Sequence, residues 1–289
     1  MALGQRRQRS ELSDNEISSI EQRHGAASFL SLKEVSVAAG LNTEQHVAFC
    51  LARSQLLMDF KEGVAGGPRR GLPQHIILHG QAGTGKSRVL SCLTTLCESW
   101  WQSESLMLMA PTGLAAANIG GQTVQSAVRF GPWSVRTGVG GNALPKRQEQ
   151  ELLTKWTPVR MVAIVEMSMV DTQLLHQIHA RLQLVKGSTD DFGGINIVLS
   201  GDLTQLPPIV RQPLYMPSKK VRPGGVVEND GHCLYLLFKN VVMLERNMRA
   251  AVDPEWTDIL SRMRLGVSMS ADRAFLRGLS GFRERLQVG

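Results

Sequence analysis

The sequence predicts an α/β fold, a buried parallel sheet with helices on both faces, and two features point to it. Five short, nearly unbroken apolar runs punctuate the chain at residues 75–79, 106–110, 161–165, 195–200 and 241–244, with helical stretches between several of them. A strand covered on both faces carries apolar side chains at successive positions rather than alternate ones, so such runs mark the interior of a parallel sheet. The first run leads straight into a glycine-rich loop and then a helical stretch at residues 88–100, the strand–loop–helix order of an α/β unit.

That loop reads Gly80-Gln81-Ala82-Gly83-Thr84-Gly85-Lys86-Ser87 and matches G-x-x-x-x-G-K-[ST]. Between a strand and a helix, the pattern carries a mechanism. Glycines at 80, 83 and 85 let the backbone aim its N–H groups inward as an anion nest, and the helix N-terminus adds partial positive charge. Lys86 is placed to reach the β and γ phosphates, and the Ser87 hydroxyl to ligate magnesium. The expected ligands are ATP and Mg2+.

The remaining segments fall into place around this core. At 289 residues the chain accommodates one large α/β domain with extensions. Residues 1–40 are polar and irregular and read as a leader. A helix is expected to begin near Leu41-Asn42-Thr43-Glu44-Gln45, with Asn42 as N-cap and Gln45 three positions on, the spacing of a capping box, and to run through Phe49, Ala52, Leu56 and Phe60. Residues 63–71, 131–150 and 211–232 are rich in glycine, proline and polar side chains and read as surface connections. Trp156, just before the third run, is assigned to the core.

Charge and cysteine usage narrow the partners. A net charge of +7 with a pI near 9.5 suits a polyanion such as nucleic acid. None of the four cysteines forms a CxxC pair, so neither a metal site nor a disulfide framework is implied. The basic start is not followed by an apolar run and no stretch reaches the length of a membrane span. An intracellular location is expected, the nucleus if the source is eukaryotic, with no membrane partner.

Three further segments point to a family. Ala110-Pro111-Thr112-Gly113-Leu114-Ala115-Ala116-Ala117-Asn118-Ile119 follows the second run, with Gly121-Gln122-Thr123-Val124-Gln125-Ser126 soon after, and Gly201-Asp202-Leu203-Thr204-Gln205-Leu206-Pro207-Pro208-Ile209 follows the fourth. With the glycine-rich loop they resemble superfamily-one DNA helicases of the RecD-like branch, and among these the petite-integration-frequency (PIF) family, which includes the helicases of Helitron-type transposons. The resemblance spans roughly residues 41–250 and is most specific at the 201–209 segment.

The resemblance implies a RecA-like P-loop NTPase domain at 41–250, with 251–289 a basic helical tail at the start of a second RecA-like lobe that is missing. It implies ATP-dependent, 5′-to-3′ translocation on single-stranded DNA or DNA junctions, in repair, recombination and telomere maintenance. Gln45 would read adenine through its amide, although the helix-capping role is equally open. Lys86 and Ser87 would hold phosphates and metal. Glu166 would orient the attacking water beside the metal, Gln205 would sense the γ-phosphate, and Arg249, with Arg246 in reserve, would act as an arginine finger. Thr112, Gly113, Thr123, Gln125 and Ser126 would line the DNA track.

Three departures qualify this picture. The family ends its third strand in Asp-Glu, where this chain has Val165-Glu166, so the carboxylate that helps hold magnesium is replaced by an apolar side chain. Gln125 stands where the family usually has histidine. The chain ends 40 residues after Arg249, short of a second lobe. A degenerate ATP- and DNA-binding remnant with little hydrolysis is therefore the alternative to a working helicase.

Overall fold

All five predicted runs become strands of one parallel sheet. The computed structural model describes residues 32–65, 73–100, 103–130, 145–209, 212–217, 225–248 and 254–286; the expected leader before residue 32 and Arg249 lie outside them. The strands are β1 (His75–Gly80), β2 (Leu106–Ala110), β3 (Gln122–Thr123), β4 (Met161–Ile164), β5 (Asn196–Gly201) and β6 (Asn240–Leu244). They pair in the order β3-β2-β4-β5-β1-β6, every pair parallel.

The described helices, in chain order, are α1 (Leu32–Ala38), α2 (Thr43–Ala65), α3 (Lys86–Trp100), α4 (Gly113–Asn118), α5 (Val124–Val128), α6 (Lys146–Trp156), α7 (Thr172–Lys186), α8 (Gly225–Tyr235), α9 (Pro254–Arg264) and α10 (Ser270–Leu286). Successive strand residues point to opposite sides, so the sheet carries two cores. Ile76, Leu78, Ala163 and Val198 pack with Phe49, Ala52 and Leu56 of α2 and with Leu93 and Leu96 of α3. Ile77, Val162, Ile164 and Ile197 pack with Trp156 of α6 and with Leu175, Ile178 and Leu182 of α7. Trp156 is fully buried, and its indole N–H donates to the Ala127 carbonyl at 3.1 Å.

Two strands differ from the sequence expectation. β3 is a sixth strand of two polar residues at the sheet edge, paired in register Met109↔Gln122 and Ala110↔Thr123. It has no apolar signal because its place is set by its ladder to β2. β6 was expected to be buried throughout, yet Val241 and Met243 are about half exposed while Val242 and Leu244 are buried. Val242 and Leu244 pack in the core that contains α2, while Val241 and Met243 point to the other face, so burial alternates.

The cap expected at Asn42 is present. At the start of α2 the Gln45 N–H donates to Asn42 Oδ1 at 2.9 Å and the Asn42 N–H to Gln45 Oε1 at 3.0 Å, a reciprocal capping box. Asp171 caps α7 by accepting the Leu174 N–H at 2.7 Å.

Three histidines on or against β1 make stability depend on pH. The His75 ring lies 5.1 Å from Phe192, and His179 lies 5.2 Å from the same ring. His179 Nδ1 accepts the Phe192 N–H at 3.1 Å and His79 Nε2 accepts the Leu203 N–H at 3.3 Å, roles that only an unprotonated nitrogen fills. Burial lowers the pKa of all three from 6.5; Asp191 partly offsets it for His75 and His179, and Asp202 for His79. The unfolded chain takes up protons just below pH 6.5 where the folded chain resists them. Their stabilising contribution is therefore complete above that pH and shrinks as pH falls through it. The melting temperature is expected to drop between about pH 7.5 and about pH 5.5; a flat profile in a buffer series would contradict this.

Candidate nucleotide-binding site

Parallel strand order carries the C-terminal ends of all strands to one edge of the sheet, where α/β folds bind ligands. The loops after β1, β2, β4, β5 and β6 converge there on one cleft of about 790 Å³, lined by Gly83, Lys86, Ser87, Thr112, Val165, Glu166, Asp202, Gln205 and Met248 among others. Glu166 and Gln205, distant in sequence from Lys86 and Ser87, are thus brought together with them.

The glycine-rich loop has the conformation that its sequence requires. Gly83 and Gly85 sit at φ +87° and +88°, a region that side-chain-bearing residues rarely adopt. A Cβ on Gly85 would strike the Gln45 amide nitrogen. Lys86 Nζ donates to the carbonyls of Gly80 at 2.6 Å and Gln81 at 2.9 Å, so the loop curls around its ammonium group. Ala82, Gly83, Gly85, Lys86 and Ser87 line the cleft. Thr84, fully buried, donates its hydroxyl to the Gln81 carbonyl at 2.9 Å; together with Gly80 and Gln81 it shapes the loop from behind.

The loop is anchored from both sides. The Met248 N–H donates to the Gly83 carbonyl at 2.9 Å, and Glu44 Oε2 accepts the N–H groups of Glu245 at 2.8 Å and Arg246 at 3.2 Å. Gln45 completes the anchorage: 1% exposed, it donates Nε2 to the Thr84 carbonyl at 2.9 Å while Oε1 closes the capping box. Its amide is thus engaged with protein at both ends, and it does not line the cleft. In this structure Gln45 serves as the helix cap and as a brace under the loop. Gln45→Ala is expected to lower stability by about 1–3 kcal/mol, through loss of a cap and a buried hydrogen bond, in chemical denaturation. Unchanged stability with a flattened preference for ATP over GTP would instead favour an adenine contact.

Opposite the loop, Glu166 adopts φ 53° and ψ 48°, a left-handed conformation in a non-glycine residue. Such strain costs on the order of 1 kcal/mol and gathers at functional turns. A Cβ on Gly201 would stand 2.8 Å from the Met167 nitrogen, so the β4 turn and the end of β5 are in contact. Val165 is 8% exposed and packs in the apolar core while lining the cleft.

Asp202, 2% exposed, organises the β5 turn. Its Oδ1 accepts the Thr204 N–H at 3.1 Å, the Thr204 hydroxyl at 2.7 Å and Arg264 Nη2 at 2.7 Å, with His79 Nε2 3.6 Å away. Burial works to raise the Asp202 pKa, but the Thr204 hydrogen bonds and the Arg264 guanidinium outweigh it and hold the carboxyl below its usual range.

Tested against a nucleotide, the nest of left-handed glycines, the ammonium group and the helix start suit a chain of phosphates. Magnesium asks for hard oxygen donors. The cleft offers the Ser87 hydroxyl, the Glu166 carboxylate and Asp202, whose side-chain hydrogen bonds among the described residues use Oδ1; Val165 offers none. The loop's chemistry suits phosphates; a divalent cation would find a reduced donor set.

The expected DNA residues lie beside this cleft. Thr112 lines it and caps α4, accepting the Ala115 N–H at 3.3 Å. Thr123 caps α5 by accepting the Ser126 N–H at 3.2 Å. The β2–β3 pairing sets these two turns side by side, with Gly113 and Ser126 exposed and Gln125 half-buried; Gly113, Thr123, Gln125 and Ser126 stand outside the cleft lining. Arg264 and Thr204 had no site role assigned from the sequence: an arginine in a basic tail carries no local sign of a partner 62 residues away.

This fold and this cleft define a RecA-like P-loop domain. The sequence profile of the PIF1-like helicases matches residues 64–266, more than half of the chain, and the chain belongs to that family. It is 31% identical over 198 residues to the ATP-dependent DNA helicase PIF1 of Saccharomyces cerevisiae, covering 66% of this chain and 21% of that protein. It is 34% identical over 143 residues to the ATP-dependent DNA helicase RRM3 of the same yeast, covering 48% and 19%. The structure resembles the crystal structure of Pif1 helicase from Candida albicans with a TM-score of 0.58 at 26% identity, covering 82% of this chain and 47% of that one. It resembles Bacteroides Pif1 bound to ssDNA with a TM-score of 0.55 at 25% identity, covering 82% and 49%. The chain thus spans about a fifth of the yeast relatives and about half of the solved chains. Among the described residues, no helix is long and apolar enough to cross a membrane.

Proposed function

We propose that this chain is an ATP-binding motor domain of an ATP-dependent DNA helicase, acting on single-stranded DNA with the family's 5′-to-3′ direction, in repair and recombination. The convergence of five strand-end loops on the cleft around Lys86 carries the reading. Its domain comprises residues 41–250, with 251–289 a helical tail. When bound, ATP with its magnesium supplies the phosphoanhydride to be cleaved. Lys86 and the loop N–H groups neutralise and orient the phosphates, Ser87 contributes a hydroxyl to the cation, Glu166 orients water, and Gln205 hydrogen-bonds the terminal phosphate. Arg249 remains the proposed arginine finger.

Val165 favours a second reading for the chemical step. An apolar side chain at the edge of the cleft leaves the cation one carboxylate short, so ATP is bound while hydrolysis is slow. The nucleic-acid half is tested with fluorescent oligothymidylate and anisotropy. Binding that weakens with salt is expected, and Thr123→Ala or Gln125→Ala should weaken it by about tenfold, the scale of one to two polar phosphate contacts. No oligonucleotide binding at low salt would sink the DNA-binding assignment.

A further inference from the structure

The turn at 202–205 is held by a residue that the helicase motifs do not include. Within the turn, Asp202 Oδ1 collects the Thr204 N–H and hydroxyl, and the Gln205 N–H donates to the Asp202 carbonyl at 3.0 Å. From β1, His79 accepts the Leu203 N–H at 3.3 Å. From the last turn of α9, Arg264 grips both ends of the network, Nη2 on Asp202 Oδ1 at 2.7 Å and Nε on Thr204 Oγ1 at 2.5 Å. Thr204 Oγ1 thus accepts from Arg264 while donating to Asp202, closing a three-membered ring of charge-assisted bonds.

The same helix is tied to the next. Arg262, two residues before, makes a two-pronged pair with Asp272 of α10, at 2.9 Å from Nε and 2.6 Å from Nη2, and Asp272 also accepts the Met269 N–H at 2.8 Å. Asp202 lines the cleft, and so does Gln205, which is exposed and has no side-chain hydrogen bond among the described residues. The tail helices are therefore joined to the Asp202–Gln205 side of the cleft through the Arg264 guanidinium.

The geometry points to Arg264 as a positioning residue that sets the 202–205 turn, and with it Gln205, for the terminal phosphate, and transmits the state of that turn to the α9–α10 hairpin. The inference rests on the ATP-binding reading of the cleft. It makes ATP discrimination against ADP depend on a side chain that touches neither nucleotide. A planar five-donor fork suits the task, whereas lysine supplies a single point of attachment.

The test uses the full chain with two fluorescent probes, mant-ADP and the non-hydrolysable mant-AMPPNP, both with magnesium, and amide hydrogen exchange at residues 203–205 without nucleotide. Arg264→Ala is expected to leave mant-ADP affinity within about twofold, to weaken mant-AMPPNP by about tenfold, the scale of one lost charged hydrogen bond, and to speed exchange at 203–205. Arg264→Lys should fall between, and Asp202→Asn combined with Arg264→Ala should be no worse than either alone. Equal weakening of both nucleotides would show a merely structural role and overturn the proposal, as would unchanged discrimination with unchanged exchange. If the unaltered chain binds neither probe, the ATP-binding reading itself fails and the inference falls with it; faster exchange in Arg264→Ala would then show only that the arginine braces the turn.

Discussion

Lys86→Ala is expected to weaken ATP binding by about 10- to 100-fold, the worth of one or two hydrogen bonds to a charged group. The ammonium group bonds two carbonyls of its own loop, at Gly80 and Gln81. Removing it takes away the positive charge offered to the phosphates and leaves those carbonyls without that donor. Arginine would not substitute, because its wide planar head does not fit a pocket built for a compact cation. The loss is specific to nucleotide: the sheet and both cores are untouched, so denaturant midpoints should shift little while ATP titrations flatten. Wild-type affinity in Lys86→Ala would place the ligand elsewhere.

Val165→Asp is expected to act in two opposed directions. Val165 is 8% exposed and packs in the core that contains Ala110, Ala163 and Val198. A carboxylate there loses apolar packing and is partly desolvated, which should lower stability by about 1–3 kcal/mol. It also restores a hard oxygen beside Glu166 and across the cleft from Ser87, so ATP affinity should gain a magnesium dependence of about tenfold. Lower stability with stronger magnesium-dependent binding is a combination that a merely damaged protein does not show. Denaturation and ATP titration with and without EDTA read the two effects separately.

Legibility in the sequence tracked how local the determinants were. Four strands were visible because burial on both faces writes itself as a continuous apolar run, β6 because its run stays apolar even where Val241 and Met243 meet solvent, and the glycine-rich loop because its positive-φ positions at Gly83 and Gly85 call for that residue type. The Asn42–Gln45 box was visible because its spacing is local. The second task of Gln45, bracing Thr84, was not, since it depends on how α2 packs beneath the loop. β3 escaped because Gln122 and Thr123 carry no apolar signal and owe their strand geometry to β2. Val165 was legible twice over, as the end of an apolar run and as a departure from the family's acidic pair; the structure reconciles these, since it both closes the core and borders the cleft. Arg264 escaped because a through-space contact with Asp202 leaves no periodic trace.

The proposal that the cleft binds ATP, and the second reading that Val165 at the cation side slows its hydrolysis, are tested together most directly by ATP turnover. It should be measured with and without single-stranded DNA, for the unaltered chain and for Val165→Asp. The account predicts that the unaltered chain binds ATP yet turns over near background in both conditions, and that Val165→Asp turns over faster, with stimulation by DNA. DNA-stimulated turnover by the unaltered chain would contradict it and make this a working motor domain despite the missing carboxylate.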